Sequence, residues 1–198
     1  MFPFLKKLGV SPELQAYFDI NERRFTYGNE LEVFGPDYHI VPVTRDLWMH
    51  GNYPSTELII TSCAMEAVAY MAVNAWRHPA EARLSFIAVG LRPHPEQLRW
   101  IAKYCLKRKI TLVFSNDVCG RLNDIIIAAG IREKPLRAVW HKNSVQLLLP
   151  NGSAIELTPE KLSLNVFEKA ASLRSGIRTQ KPGRFNTFLD QLRYENIS

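Results

Sequence analysis

The chain has 198 residues, 46% of them hydrophobic, and a formal net charge of +6; that is enough for one well-buried core with a small appendage and too short for two ordinary domains. No apolar run reaches bilayer-spanning length, and the opening MFPFLKKLGV lacks the apolar segment and small-residue cleavage site of a secretory signal, so a cytoplasmic protein with no membrane partner is expected. Cys63, Cys105 and Cys119 form no CxxC pair, which argues against a disulfide framework or a zinc cluster, and all three read as buried thiols.

In chain order, residues 1–56 read as a lead-in. Ser11-Pro12 supplies an N-cap and a first-turn proline for a helix through about Ile20. Phe25 to Thr56 is rich in turn formers, with extended pieces at Leu31 to Phe34 and His39 to Val43. The α/β core spans residues 57–135. Leu58 to Thr61 leads into a helix from about Ala64 to Ala75, Leu84 to Val89 into a helix from about Glu96 to Lys107, and Ile110 to Phe114 into a helix from about Gly120 to Ala129. Such alternation predicts right-handed βα units and a mostly parallel sheet, which leaves polar residues at one strand edge.

Residues 136–172 change pattern. Ala138 to His141, Val145 to Leu149 and Ala154 to Leu157 read as an antiparallel meander, its second turn marked by Asn151-Gly152, and Thr158-Pro159-Glu160 reads as the start of a helix. Residues 173–198 read as a mobile basic linker before a short helix near Phe185 to Arg193.

The polar residues at the first and third strand ends carry a spacing of their own. Ser62 and Cys63 follow the first strand, with Glu66 in the first turn of its helix. Ser115-Asn116-Asp117 follows the third, with Gly120-Arg121 beyond it, and Gly90 marks a turn after the second strand ahead of Gln97 and Leu98. From Glu57 to Ile131 this pattern resembles the Toprim domain shared by topoisomerases, bacterial primases, some nucleases and primase-like proteins of mobile elements. The resemblance implies an α/β fold with a mostly parallel Toprim-like, Rossmann-like sheet flanked by helices, followed here by the antiparallel meander and helix.

In that family the first strand ends in a glutamate and a glycine, and the later strand in Asp-x-Asp followed by Gly-Arg. Here Ser62 and Cys63 stand for the first pair and Ser115, Asn116 and Asp117 for the triplet, while Glu66, Asp117, Gly120 and Arg121 match. Toprim enzymes are understood to use the glutamate as general acid or base at a phosphodiester and the aspartates to hold Mg²⁺, a hard ion that takes anionic oxygens. Serine does neither at neutral pH. The resemblance therefore implies a vestigial site with no catalytic residue, no cofactor, and at most weak Mg²⁺ binding by Glu66 and Asp117. Bland roles exist for the same groups: Asp117 is placed to cap a helix, Glu66 likewise, and Cys63 suits a small buried filler better than a nucleophile. His39, His50, His78, His94 and His141 show no ligand spacing, and none is assigned to metal.

Basic residues cluster. Between Arg92 and Lys109 six basic residues, Arg92, Arg99, Lys103, Lys107, Arg108 and Lys109, stand against the single acid Glu96; Arg99, Lys103 and Lys107 recur every four residues and share one helical face beside Trp100 and Tyr104, and the tail adds Arg174, Arg178, Lys181 and Arg184. A solvated helix face has this pattern, and so does a footprint for the phosphate backbone. Three functions are open at this stage. One is a degenerate Toprim-like module with weak, non-specific nucleic-acid binding, or with a replication or mobilisation protein as partner, acting in DNA replication, priming or mobilisation of a mobile element. Another is an Mg²⁺-dependent phosphotransferase or nuclease rebuilt on Glu66, Asp117 and a further acid such as Asp124. The third is a protein-interaction scaffold without nucleic acid.

Overall fold

The fold is organised by a five-stranded sheet whose central strands are buried on both faces. The computed structural model describes residues 1–51, 55–78 and 83–197. Two short helices, α1 (Pro3–Lys7) and α2 (Pro12–Tyr17), open the chain. Ser11 caps α2 by accepting from Leu14 N–H, as its position before a proline predicts, although the helix ends at Tyr17. Next come β1 (Arg24–Tyr27), β2 (Glu30–Phe34) and β3 (His39–Ile40), a small antiparallel sheet in which β2 and β3 fall on the two extended pieces of the sequence. The strand β1 and the strand β4 (Trp48–Gly51) lie in turn-rich sequence and carried no such signal.

The core units follow as β5 (Glu57–Thr61), α3 (Ala64–Asn74), β6 (Leu84–Ala88), α4 (Pro95–Cys105), β7 (Lys109–Val113) and α5 (Val118–Ile131). The strands β5, β6 and β7 are parallel, with β5 in the middle; Thr61 stands opposite both Ala88 and Val113. The strand β4 closes one edge antiparallel to β6, so the sheet is mixed and mostly parallel. Alternation within the strands divides the apolar core. Ile59 and Phe86 pack with α3 and the N-terminal helices on one face, whereas Leu58, Ile60 and Leu112 pack with α4 and α5 on the other. Helices on both faces cover strands that are apolar on both sides, the reason Leu58 to Ile60 and Phe86 to Ala88 read as apolar runs. Gly90 turns the chain at φ +80°, where a Cβ would also meet the Pro42 carbonyl oxygen at 2.7 Å.

Beyond the core, β8 (Arg137–His141), β9 (Ser144–Leu148) and β10 (Ala154–Leu157) form the expected antiparallel meander with β9 central, laid over the α4–α5 side through Val145, Leu147 and Leu157. The helix α6 (Leu164–Ala170) begins five residues after the expected start. Thr158 to Leu162 instead makes a turn, with Lys161 N–H donating to the Thr158 carbonyl, and Ser163 caps the helix by accepting from Val166 N–H. Cys119 is exposed, a correction to its reading as a buried thiol: it sits in the first turn of α5 on the side away from the sheet, while Cys63 and Cys105 are buried as expected.

The last segment supplies β11 (Arg178–Thr179), which adds parallel to β7 and completes the order β11-β7-β5-β6-β4, and then α7 (Phe188–Ile197), which packs on α3. The stretch read from composition as a mobile linker is thus part of the sheet. Among the described residues no helix is long and apolar enough to cross a membrane.

Candidate functional site

In an open α/β sheet the ligand crevice lies outside the carboxyl ends of the strands, where successive connections leave in opposite directions. From β5 the chain crosses to β6 on one side and then returns to β7 on the other, so that point is between β5 and β7. Ser62 and Ser115 follow these two strands at the same edge, as expected. The C-terminal segment runs over that edge. Gln180 N–H donates to the Leu112 carbonyl, Asn116 N–H donates to the Asn186 carbonyl, and the Gln180 side chain is bonded to Tyr70 and Asn74 of α3.

Lys181 sits at the centre of this crossing. Its ammonium donates to the Phe114 and Ser115 carbonyls, both at 3.1 Å, and to Asp124 Oδ2 at 2.6 Å. All three N–H donors are used. Two carbonyl oxygens and a carboxylate thus hold the ammonium at the end of β7. Burial pushes the Asp124 carboxyl up to about 6 and the Lys181 ammonium down from its ordinary value, while their mutual contact pulls each the other way. Asp124 Oδ1 is buried without a hydrogen-bond partner among the described residues.

The expected site residues fall into separate roles. Asp117 is the N-cap of α5: its Oδ1 accepts from Gly120 N–H at 2.7 Å and from the Ser115 hydroxyl at 2.8 Å. Gly120 lets α5 approach the strand end, because a Cβ there would run into the Ser115 carbonyl. Arg121 donates to the Asn116 side chain at 3.1 Å. Glu66 is buried on α3 and caps the other helix, its two oxygens accepting from Phe188 and Leu189 N–H at 2.7 and 3.2 Å. Glu66 and Asp117 are thus spent on the N-termini of different helices, α7 and α5, where the helix dipole suits a negative charge.

Burial pushes the Glu66 carboxyl up to about 7, against the pull of the two amides. Between its ordinary value of 4.5 and about 7 the folded chain holds a proton that the unfolded chain has released. Its contribution is therefore fully present below about pH 4.5 and lost as pH rises through about 7, roughly 3 kcal/mol in all. Glu66→Gln, which cannot titrate, should gain stability relative to wild type between pH 5 and 8. Urea midpoints of both proteins across that range check it, and a pH-independent difference would rule it out. Asp124 titrates in the same direction and cancels in the comparison.

A second polar centre was not anticipated from the sequence. Glu32 of β2 is fully buried at the start of α3. One oxygen accepts from Ala64 N–H at 2.7 Å and the Tyr27 hydroxyl at 2.7 Å; the other accepts from Met65 N–H at 2.9 Å and pairs with His39 Nε2 at 2.8 Å. Ligand-type atoms of Glu32, His39 and Cys63 lie within 4.8 Å of one another. The carboxylate already has four partners, and the positive end of α3 beside it favours an anion over a cation, so the cluster is a hydrogen-bonded pin. Burial, with Glu32 and Glu66 nearby, pushes the Cys63 thiol up and away from nucleophilic use. The available signal was alternation: Glu30, Glu32 and Phe34 share one face of β2, and that face is buried at Glu32 and Phe34.

The basic residues also separate. Arg92, Arg99, Lys103 and Lys107 are exposed, and among the described residues none of the four takes part in a salt bridge. Trp100 and Tyr104 are exposed beside them with ring centroids 5.0 Å apart, and Lys103 lies over the Tyr104 ring. Lys103, Tyr104, Lys107 and Arg108 line a groove of about 660 Å³ at the amino ends of the strands, opposite the Lys181 edge. Arg178 and Arg184 are exposed on the tail. Lys181 is withdrawn from this set, because its ammonium is committed inside the fold. Comparison with protein-family models, curated proteins and solved structures found no match to the chain.

Proposed function

We propose that the chain is a catalytically inactive, Toprim-like module that binds nucleic acid without sequence preference through the exposed face of α4. The observation that carries the reading is that Arg99, Lys103 and Lys107 are exposed beside the exposed rings of Trp100 and Tyr104, with Lys103, Tyr104 and Lys107 lining a groove. Cations neutralise phosphates, and exposed rings stack on unpaired bases whatever their identity, so the face suits a single strand. Support for inactivity comes from the sheet edge. Ser62 and Ser115 stand where the resemblance puts acids, and the crevice is crossed by the chain's own segment, with Lys181 bonded to the Phe114 and Ser115 carbonyls and to Asp124. A setting in replication, priming or mobilisation of a mobile element, with nucleic acid or a protein of that machinery as partner, rests on the resemblance.

The test is fluorescence anisotropy with a labelled oligothymidylate and a duplex of equal length over a salt series. Three phosphate contacts on a single strand should give a slope of about −2 in log K against log salt. Charge reversal of Arg99→Glu with Lys103→Glu should flatten that slope by more than half, and Trp100→Ala should weaken single-strand binding by about 1 to 3 kcal/mol. No Mg²⁺-dependent cleavage or primer synthesis is expected. Absence of binding at low salt, or a slope unmoved by charge reversal, would put the protein-interaction scaffold ahead.

A further inference from the structure

A separate cavity of about 330 Å³ lies between α1, the β2–β3 hairpin, the start of α3 and α7, far in sequence from the α4 face. Its walls are apolar, formed by Phe4, Phe34, Met65 and Leu189 among others, and two exposed cations, Lys7 and Arg193, line it as well. Neither cation is in a salt bridge among the described residues. Lys7 ends α1 and Arg193 belongs to α7, so two elements distant in sequence bring like charges to one opening. A net positive rim over an apolar interior has one complementary class of guest.

We infer that this cavity binds a small amphipathic anion, a carboxylate carried on an aliphatic or aryl body. Its volume lies at the low end of the range for small-molecule sites, about 300 to 1,000 Å³, which suits a medium-length chain or a single substituted ring. The site is largely pre-formed. Glu32 bonds both Met65 N–H and His39 Nε2, and His39 and Met65 line the cavity, so the pin at the start of α3 fixes two of its walls. The apolar body gains by leaving water, and the carboxylate gains two charge-assisted partners at the rim without desolvating either completely.

Titration calorimetry and thermal shift of the full chain with octanoate, decanoate, octanol and octyltrimethylammonium test the inference. Saturable one-to-one binding of the carboxylates is expected, about fifteenfold tighter for decanoate than for octanoate because each of the two further buried methylenes is worth about fourfold. Lys7→Gln with Arg193→Gln, both exposed and outside the core, should weaken decanoate at least tenfold and leave octanol unchanged. The inference is overturned by no saturable binding of decanoate, by equal binding of the trimethylammonium compound, or by carboxylate affinity that the double substitution leaves unmoved. Retention of salt-dependent nucleic-acid binding in the same variant would show that the two sites are independent.

Discussion

Lys181→Met should destabilise the protein by about 3 to 5 kcal/mol. The methionine keeps the length and apolar stem of the side chain, so the loss isolates the ammonium. Without it Asp124 is left buried, with Oδ2 joining Oδ1 as an unpartnered oxygen, and the Phe114 and Ser115 carbonyls lose their donor. For a chain of this size the shift is about 10 °C in Tm. The double substitution Lys181→Met with Asp124→Leu should recover most of the loss, since replacing a whole buried pair by apolar groups is close to neutral. Urea unfolding of the three proteins decides it. If Lys181→Met alone costs less than about 1 kcal/mol, within the range of an exposed ion pair, the lysine is not holding the strand end.

Glu32→Ala should be at least as damaging, and for a different reason. No opposite charge balances Glu32 except through His39; the carboxylate is held by backbone amides, a phenol and the end of a helix. Truncation leaves Met65 N–H and the Tyr27 hydroxyl buried without an acceptor, each costing about 1 to 3 kcal/mol, and leaves Ala64 N–H with the Tyr27 oxygen alone at 3.0 Å. The sum is about 2 to 6 kcal/mol, a large share of the stability of an ordinary domain, so weak expression and a much lowered unfolding midpoint are expected. Glu32→Gln keeps the shape and one acceptor but turns an NH₂ donor towards donors. An intermediate loss of about 2 to 4 kcal/mol is expected by chemical denaturation. A glutamine variant as stable as wild type would show that the pin is dispensable.

Both predictions concern groups that local sequence did not identify, whereas the α/β order was legible residue by residue. Leu58 to Thr61, Leu84 to Val89 and Ile110 to Phe114 announced strands because strands covered on both faces are apolar at most positions, and the helices behind them announced themselves by capping residues and period. Asp117 as a cap was readable for the same reason: a cap and the amides it serves lie within a few residues. The meander was readable through its turns, at Lys142-Asn143 and Asn151-Gly152. The start of α6 was misplaced by five residues because Thr158-Pro159-Glu160 is an equally good beginning for a single turn.

By itself, then, the sequence determined the alternating strands and helices, the shared edge of Ser62 and Ser115, and the exposed basic and aromatic face of α4, all consequences of periodicity over a few residues. Only the tertiary structure decided what that edge holds. Lys181 reaches Ser115 across 66 residues, Glu66 reaches Phe188 across 122, and Glu32 reaches Ala64 across 32. A lysine in a Gly- and Arg-rich tail has the composition of a solvated linker. It becomes a partly buried, fully bonded cation only because β11 pairs with β7 and carries it over the strand ends. Likewise a glutamate in a short alternating strand looks like a surface residue until α3 brings two unpaired amides to it, and the free energy of burying a charge is set by partners that the local sequence does not contain.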